Sequence, residues 1–287
     1  MRRWPNLFIV GTARAGTTSL WHYLRGHPEI YMSPLKEPHY FSDRPPKYMR
    51  TVATEPDYLA LFAAARGERF LGEASPHYLH GTRAAAAIKA VSPDARAVAV
   101  LREPVSRLYS SYWHSVRYGR EQRGVEEALV EPVATDPAAL PSLRYFSRSF
   151  YARALGTFSE AFGDDLLVLW YDDLARDVRG FVRRILDFLG VEPAYAESFD
   201  ATPRNTSSLP RSRTVAKLYA APRIRNAGAK VIPRKMQSRA ESLLLERRSV
   251  PELDPAFRRV LEPVFADDRA ELERILGRPA PWGSLGG

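Results

Sequence analysis

The chain of 287 residues has no cysteine. That excludes a disulfide framework and any cysteine-based zinc site, and it fits an enzyme of a reducing compartment. Long apolar runs are missing as well. The amino terminus, Met-Arg-Arg-Trp-Pro, has the charge of a signal peptide, but the apolar stretch behind it stops at Gly11, too short for a secretory h-region. No later run reaches the roughly 20 residues of a membrane-spanning helix. A cytoplasmic protein is expected, with peripheral contact to an anionic membrane left open. Internal repeats and heptads are absent, so nothing indicates a solenoid or coiled coil. Acidic excess is also lacking: 42 Lys and Arg face 33 Asp and Glu, for a net charge of +9. Anionic partners such as nucleotides or sulfated and phosphorylated glycans are electrostatically favoured. Much of the surplus arginine lies between Arg204 and Arg248, where a solvated surface and a binding role both stay open. The hydrophobic fraction of 45% is that of a globular chain with a large core.

The segment LFIVGTARAGTTSL, Leu7 to Leu20, organises the rest. Leu7 to Val10 form a short buried strand, followed by a turn bounded by Gly11 and Gly16 and a helix over 17–25. Glycines let backbone N–H groups converge, and the helix start adds unpaired donors and a positive dipole end, so a phosphate-like group is expected there. G-x-x-x-x-G is the front half of a nucleotide-binding P-loop. Thr17, however, stands where nucleotide triphosphatases need the lysine that reaches the β and γ phosphates.

Three further segments carry chemistry. After a strand over 29–34, Lys36-Glu37-Pro38-His39-Tyr40-Phe41 sets a lysine, a carboxylate and a histidine among aromatic residues in a loop, the ingredients of proton transfer. RFLGEASPHYL, Arg69 to Leu79, reads as a strand ending in a polar turn with Glu73, Ser75 and His77; His77 and His80 are taken as surface or structural histidines. In ARAVAVLREPVSRLYSSYWHSVRYG, an apolar strand over 97–101 ends at Arg102, and Pro104 suits the first turn of a helix. Val105, Leu108, Tyr109, Tyr112, Trp113 and Val116 form its core stripe. Arg102, Ser106 and Ser110 recur every four residues, and a guanidinium fork with a hydroxyl suits a phosphate monoester. Arg107 is divided between joining that phosphate and pairing with a carboxylate.

Farther on, 124–143 reads as a short helix and a proline-broken loop, a candidate acceptor-side lid. A helix over 150–162 and a strand over 166–174 follow; the strand runs into a capped helix whose face is Val178, Phe181, Val182, Ile185, Leu186 and Leu189 and whose stop is Gly190. Asp172 and Asp173 are read as caps rather than metal ligands. Helices are predicted over 214–227 and 237–246. Asp254 should cap a last helix with Pro255 at its first position, kinked or divided at Pro263 and ending at Leu276-Gly277. Strands alternating with helices make an α/β, P-loop-type three-layer fold: a central parallel sheet flanked by helices, with ligands at the carboxyl ends of the strands and a helical C-terminal part near 214–280.

With Arg14 inside the loop and Thr17-Thr18 behind it, the first segment resembles the 5′-phosphosulfate loop of sulfotransferases, which usually has lysine where Arg14 stands. Resemblance to the heparan sulfate sulfotransferases and their bacterial relatives recurs over most of the chain. KEPHYF resembles the segment whose glutamate takes the acceptor proton. EASPHYL resembles EKSPxYF, with Ala74 in place of the lysine. Arg102 to Ser110 matches the 3′-phosphate motif, SFYARAL resembles GxYxxxL with Ser149 for the glycine, and the closing GRPAPW resembles the family's end.

The resemblance implies one sulfotransferase domain over 1–287 that moves a sulfuryl group from 3′-phosphoadenosine 5′-phosphosulfate to an acceptor hydroxyl, less readily an amine. Glu37 would be the base, Arg14 would steady the leaving oxygen, and Lys36 and His39 would assist. Thr12, Ala13, Arg14, Ala15, Gly16, Thr17 and Thr18 would hold the 5′-phosphate, and Arg102 and Ser110 the 3′-phosphate. Arg211 and Arg213 fall in the region that covers the adenine, although the family's glycine element is missing there. The scheme needs no metal, and no nucleic-acid partner is expected. Two rivals remain: a P-loop kinase or NTPase, which lacks its lysine and an acidic magnesium-binding strand end, and a non-catalytic basic nucleotide-binding module, which gives Glu37 nothing to do.

Overall fold

The structure, a computed structural model, describes residues 3–43, 51–202, 209–210, 245–246 and 250–283. Among them the elements run β1 (Leu7–Gly11), α1 (Thr17–Leu24), β2 (Ile30–Met32), α2 (Glu55–Ala60), β3 (Phe70–Ala74), α3 (Ala84–Val91), β4 (Arg96–Leu101) and α4 (Pro104–Arg117). Then come α5 (Glu131–Thr135), α6 (Ala152–Phe162), β5 (Leu166–Trp170), α7 (Tyr171–Arg176), α8 (Val178–Leu189), α9 (Tyr195–Ser198), β6 (Leu209–Pro210), β7 (Leu245–Glu246), α10 (Pro255–Leu261) and α11 (Ala266–Leu276). The chain divides into two compact units, one of residues 1–103, 150–205 and 267–287, the other of 104–149 and 206–266.

The first unit is built on a five-stranded parallel sheet in the order β2-β3-β1-β4-β5. A parallel sheet covered on both faces requires strands that are apolar throughout, and β1 (LFIVG) and β4 from Ala97 are buried along their length. Side chains alternate between two cores. Phe8, Val10, Ala97, Ala99 and Leu101 join the side of α2, α3 and α6, whereas Leu7, Ile9, Val98 and Val100 join the side of α1 and α8. The predicted face of α8 is buried at Phe181, Val182, Ile185, Leu186 and Leu189. Each fully buried side chain of this size contributes about 1.5–3 kcal/mol of transfer free energy. Asp177 caps α8 by accepting from the Gly180 N–H at 2.9 Å, and Gly190 ends it in the left-handed region, φ 63°.

Some local readings need correction. The strand from Leu166 ends at Trp170, and Tyr171–Arg176 is a helix of its own. Asp172 and Asp173 lie in its first turn without a side-chain cap. Asp172 accepts from the Trp282 indole at 3.2 Å and so anchors the closing segment, while Asp173 pairs with Arg184 at 3.0 Å and Arg176 at 3.5 Å. The alanine-rich helix α3 sits where no element was predicted.

In the second unit α4 starts at Pro104 as expected, but its buried stripe is narrower. Val105, Leu108, Tyr109 and Tyr112 are buried and Trp113 and Val116 are not, whereas Arg107 is only 1% exposed. Arg107 is therefore an internal brace: its Nε donates to the Ser149 hydroxyl at 2.7 Å and its Nη2 to the Tyr145 carbonyl. Ser149 in turn donates to the Pro104 carbonyl at 3.0 Å, so its hydroxyl serves two buried partners. Where a short helix and a proline-broken loop are expected, residues 126–142 are a π-helical turn, α5 and a 3-10 segment. Leu245–Glu246 pairs antiparallel with Leu209–Pro210, so the end of the helix predicted over 237–246 is extended; the rest of it and the helix over 214–227 lie outside the described residues. Asp254 caps α10 as predicted, and a 3-10 turn over Glu262–Phe265 divides the last helix at Pro263.

Candidate active site

In a sheet with this strand order the chain turns in opposite directions on either side of β1, and in open parallel sheets ligands bind outside the carboxyl ends of the strands at such a switch point. The glycine-bounded loop sits there. The Thr12 N–H donates to the Val100 carbonyl at 2.7 Å, continuing the β1–β4 ladder one residue past the strand. Arg14 and Gly16 are both left-handed, φ 77° and 81°. For Gly16 this leaves no alternative residue, since a Cβ there would lie 2.4 Å from Leu174 Cδ2. Arg14 carries the same backbone strain with a side chain, of the kind that is retained where a loop is held for a ligand. Thr17, the first residue of α1, is buried, while Ala13, Arg14 and Thr18 are half-buried.

Arg102, just beyond β4, donates from Nη1 to the Arg14 carbonyl at 3.1 Å, and its guanidinium lies over the Tyr171 ring at 4.6 Å. The Tyr151 hydroxyl holds the Arg102 carbonyl at 2.8 Å. Two segments that are almost 90 residues apart in sequence thus meet at one loop. Ser106 and Ser110 are one turn apart on α4 in the second unit, where the Ser106 hydroxyl accepts from Arg258 at 3.2 Å. Arg211 and Arg213 lie outside the described residues.

The KEPHYF segment is tied to the sheet by its backbone. The Glu37 N–H donates to the Ala74 carbonyl at 3.1 Å, and the Ser75 N–H donates to the Ile9 carbonyl at 3.1 Å, so the ends of β1 and β3 and residue 37 form one ladder. Glu37 and His39 are left-handed, φ 62° and 56°, on either side of Pro38. Behind them is a buried polar cluster. The His39 N–H donates to the Ser75 hydroxyl at 3.2 Å, and Ser75 donates to Glu73 at 2.6 Å. Tyr58 and Tyr78 both donate to the other Glu73 oxygen, at 2.7 and 2.8 Å. Burial pushes the Glu73 carboxyl above its ordinary range despite these three donors.

Glu37 itself shares Oε1 with the Lys36 ammonium, while Oε2 is 3.4 Å from His39 Nε2. Burial pulls its carboxyl up, but hydrogen bonds from His39 and Lys36 and the charges of Lys36 and His77 outweigh that and hold it at about 2. His77 belongs here rather than on an indifferent surface: its ring packs edge-on against His39 with centroids 4.9 Å apart. Sequence spacing gave no sign of this, because 38 residues separate the two histidines. Among the described residues, Glu37, His39 and His77 are the one group whose ligand atoms converge closely enough to hold a metal, all within 4.8 Å of one another. His80 stands apart from it, with Nε2 at 3.4 Å from the Thr12 hydroxyl.

A glycine-bounded loop at the end of the central strand lies beside a carboxylate with a lysine and a histidine on its two oxygens, residue types suited to an anionic group and to proton transfer. Comparison with known proteins identifies the family. The chain belongs to the sulfotransferase family, whose model matches residues 48–197. It is similar to the crystal structure of a sulfotransferase from Alicyclobacillus acidocaldarius, with 30% identity and a TM-score of 0.70 over 96% of this chain and 97% of that one. It is also similar to heparan sulfate glucosamine 3-O-sulfotransferase 6 of Homo sapiens, 36% identical over 39% of this chain and 30% of that one. Bifunctional heparan sulfate N-deacetylase/N-sulfotransferase 4 of Mus musculus is 25% identical over 96% of this chain and 31% of its own length. The chain thus spans about a third of the length of these curated relatives. No helix among the described residues is long and apolar enough to cross a membrane.

Proposed function

We propose that the chain is a single sulfotransferase domain of the cytoplasm that transfers the sulfuryl group of 3′-phosphoadenosine 5′-phosphosulfate to an acceptor hydroxyl. The observation that carries this reading is Glu37, kept ionised by Lys36 and His39 and hung from the end of β3, beside the strand that bears the phosphate loop. The acceptor oxygen attacks sulfur in line with the bond to the 5′-phosphate oxygen. A new S–O bond forms, the old one breaks, and the acceptor proton passes to Glu37 while the 3′,5′-bisphosphate leaves with the electron pair. Little covalent work falls to the protein, so positioning and charge neutralisation dominate, as in phosphoryl transfer.

In this reading the amides of Thr12, Ala13, Arg14, Ala15 and Gly16, with Thr17 and Thr18, hold the 5′-phosphate, and the Arg14 side chain meets the charge that grows on the leaving oxygen. Arg102 and Ser110 take the 3′-phosphate. Lys36 supplies the cation that the family carries at the position of Ala74, since the backbone bond from Glu37 to Ala74 brings residue 36 close to that strand end. His39 orients Glu37. A hydroxyl-bearing glycan, glycolipid or small metabolite suits the aromatic residues around KEPHYF, with an amine as the lesser alternative.

Transfer of radiolabelled sulfate from the donor to a panel of acceptors tests the activity directly. Glu37→Gln should lower turnover by about 10² to 10⁴ with donor affinity nearly unchanged, because the proton moves in the transition state and not on nucleotide binding. Normal turnover in that variant would transfer the role of base to another residue.

A further inference from the structure

His77 is left over by the scheme above, yet it faces the residue that does the proton transfer. Two imidazoles and a carboxylate are the donor set of a His₂Glu zinc centre, which keeps an open fourth position. In a tetrahedron with bonds of about 2.1 Å, neighbouring ligand atoms are about 3.4 Å apart, and Glu37 Oε2 and His39 Nε2 are 3.4 Å apart. A ligand atom of His77 lies within 4.8 Å of ligand atoms of both Glu37 and His39, so closing the triangle takes a side-chain adjustment of at most about 1.4 Å. Lys36 occupies Oε1 and leaves Oε2 on the histidine side. The framework is rigid: the His39 backbone is pinned through Ser75 to Glu73, and the His39 side chain is fully buried, whereas that of Glu37 keeps 18% exposure through which an ion can reach it.

We propose that Glu37, His39 and His77 form an inhibitory site for a borderline-soft divalent cation of the zinc class, which occupies the carboxylate that receives the acceptor proton. Imidazole nitrogen with one carboxylate favours zinc, cobalt, nickel or copper over magnesium and calcium, which take all-oxygen shells. Ion and catalysis exclude one another, because an Oε2 lone pair bound to a metal no longer accepts a proton. The inhibitory consequence rests on the proposed role of Glu37; the binding of the ion does not.

The test uses the whole chain, freed of metal with chelator. Cobalt(II) titration should give the visible absorption of a four-coordinate ion, and zinc should displace it. His77→Asn should weaken cobalt binding by at least about 100-fold, the upper end of what even the loss of an outer-shell partner costs. Zinc should inhibit sulfuryl transfer by the wild type and, relative to its own metal-free rate, leave the His77→Asn variant uninhibited at the same concentration. Magnesium should not substitute. Absence of the cobalt band in the wild type, or zinc inhibition that persists in His77→Asn, would overturn the proposal. Failure of the base assignment has a separate signature: Glu37→Gln would lose the cobalt band yet turn over normally. His77→Asn should match the wild type in thermal unfolding without metal, which separates lost ligation from lost folding.

Discussion

Gly16→Ala isolates the physical requirement on which the glycine-bounded loop rests. Gly16 has φ 81°, and a Cβ added there would come within 2.4 Å of Leu174 Cδ2 and 3.5 Å of two Tyr171 ring carbons. The left-handed conformation costs an L-residue roughly 1–2 kcal/mol, and forcing a methyl into a packed site costs roughly 1–3 more. Leu174 is only 5% exposed and belongs to the core beneath α1 and α8, so it has little space to retreat. The sum, roughly 2–5 kcal/mol, is a large part of the 5–15 kcal/mol that typically holds a domain folded. If the loop moves instead of the core, the cost reappears as weaker donor binding and slower turnover, since displacement of a positioning element by about 1 Å can cost on the order of 10² in rate. Urea unfolding gives the stability change and calorimetry the donor affinity. The double variant Gly16→Ala/Leu174→Ala should couple favourably by about 1–3 kcal/mol, since removing Leu174 relieves the clash and leaves the φ penalty. A Gly16→Ala protein within about 0.5 kcal/mol of wild type, with unchanged donor affinity, would refute both the assigned backbone conformation and its packing.

Arg14→Lys should retain substantial turnover and Arg14→Ala lose on the order of 10² or more, with donor binding reduced less, since the charge Arg14 meets grows in the transition state; saturating turnover left intact by Arg14→Ala would reduce it to a brace of the loop. Charge-assisted bonds to the 3′-phosphate are worth roughly 1.5–3 kcal/mol, so the 3′,5′-bisphosphate should bind at least about tenfold more tightly than the 5′-monophosphate. Arg102→Ala should erase the difference in calorimetry, and a surviving preference would remove Arg102 from that role. In the second unit, hydrogen bonding from Arg123 outweighs burial and, with Tyr145 and two backbone N–H groups, holds the Glu121 carboxyl at about 2 against an ordinary 4.5. A depressed pKa stabilises the fold above 4.5 and ceases to do so as pH falls toward 2. The stability difference between wild type and Glu121→Gln should therefore shrink over that window; a difference constant with pH would show that the carboxylate is not held in this way.

What the sequence determined by itself was everything that depends on neighbours along the chain. Continuous apolar character marked β1 and β4 as strands buried on both faces, because a parallel sheet has no polar side. Gly11 and Gly16 marked the turn between strand and helix, Gly190 the end of α8, and Asp254-Pro255 the start of α10, because φ preferences and capping bonds span only a few residues. The Glu37 and Arg102 segments were legible for the same reason: each is a short run at a strand end. Weak local signals leave other elements unmarked. Alanine-rich α3 buries only Ala84, Ala85 and Ile88, two of them too small to mark a face, and periodicity shows on α4 which face is apolar but not how much of it a neighbour covers, so Trp113 and Val116 fall outside its buried stripe. Tertiary structure alone decided the pairings across long separations. It set Asp172 against Trp282, buried Arg107 on Ser149 and Tyr145, joined Arg102 to the Arg14 carbonyl, and brought His77 up to His39 and Glu37. None of these leaves a trace in spacing, because a side chain such as Arg, Asp or His has nearly the same local conformational preference whether its partner is water or a residue a hundred positions away, and only the packed sheet determines which of the two it meets.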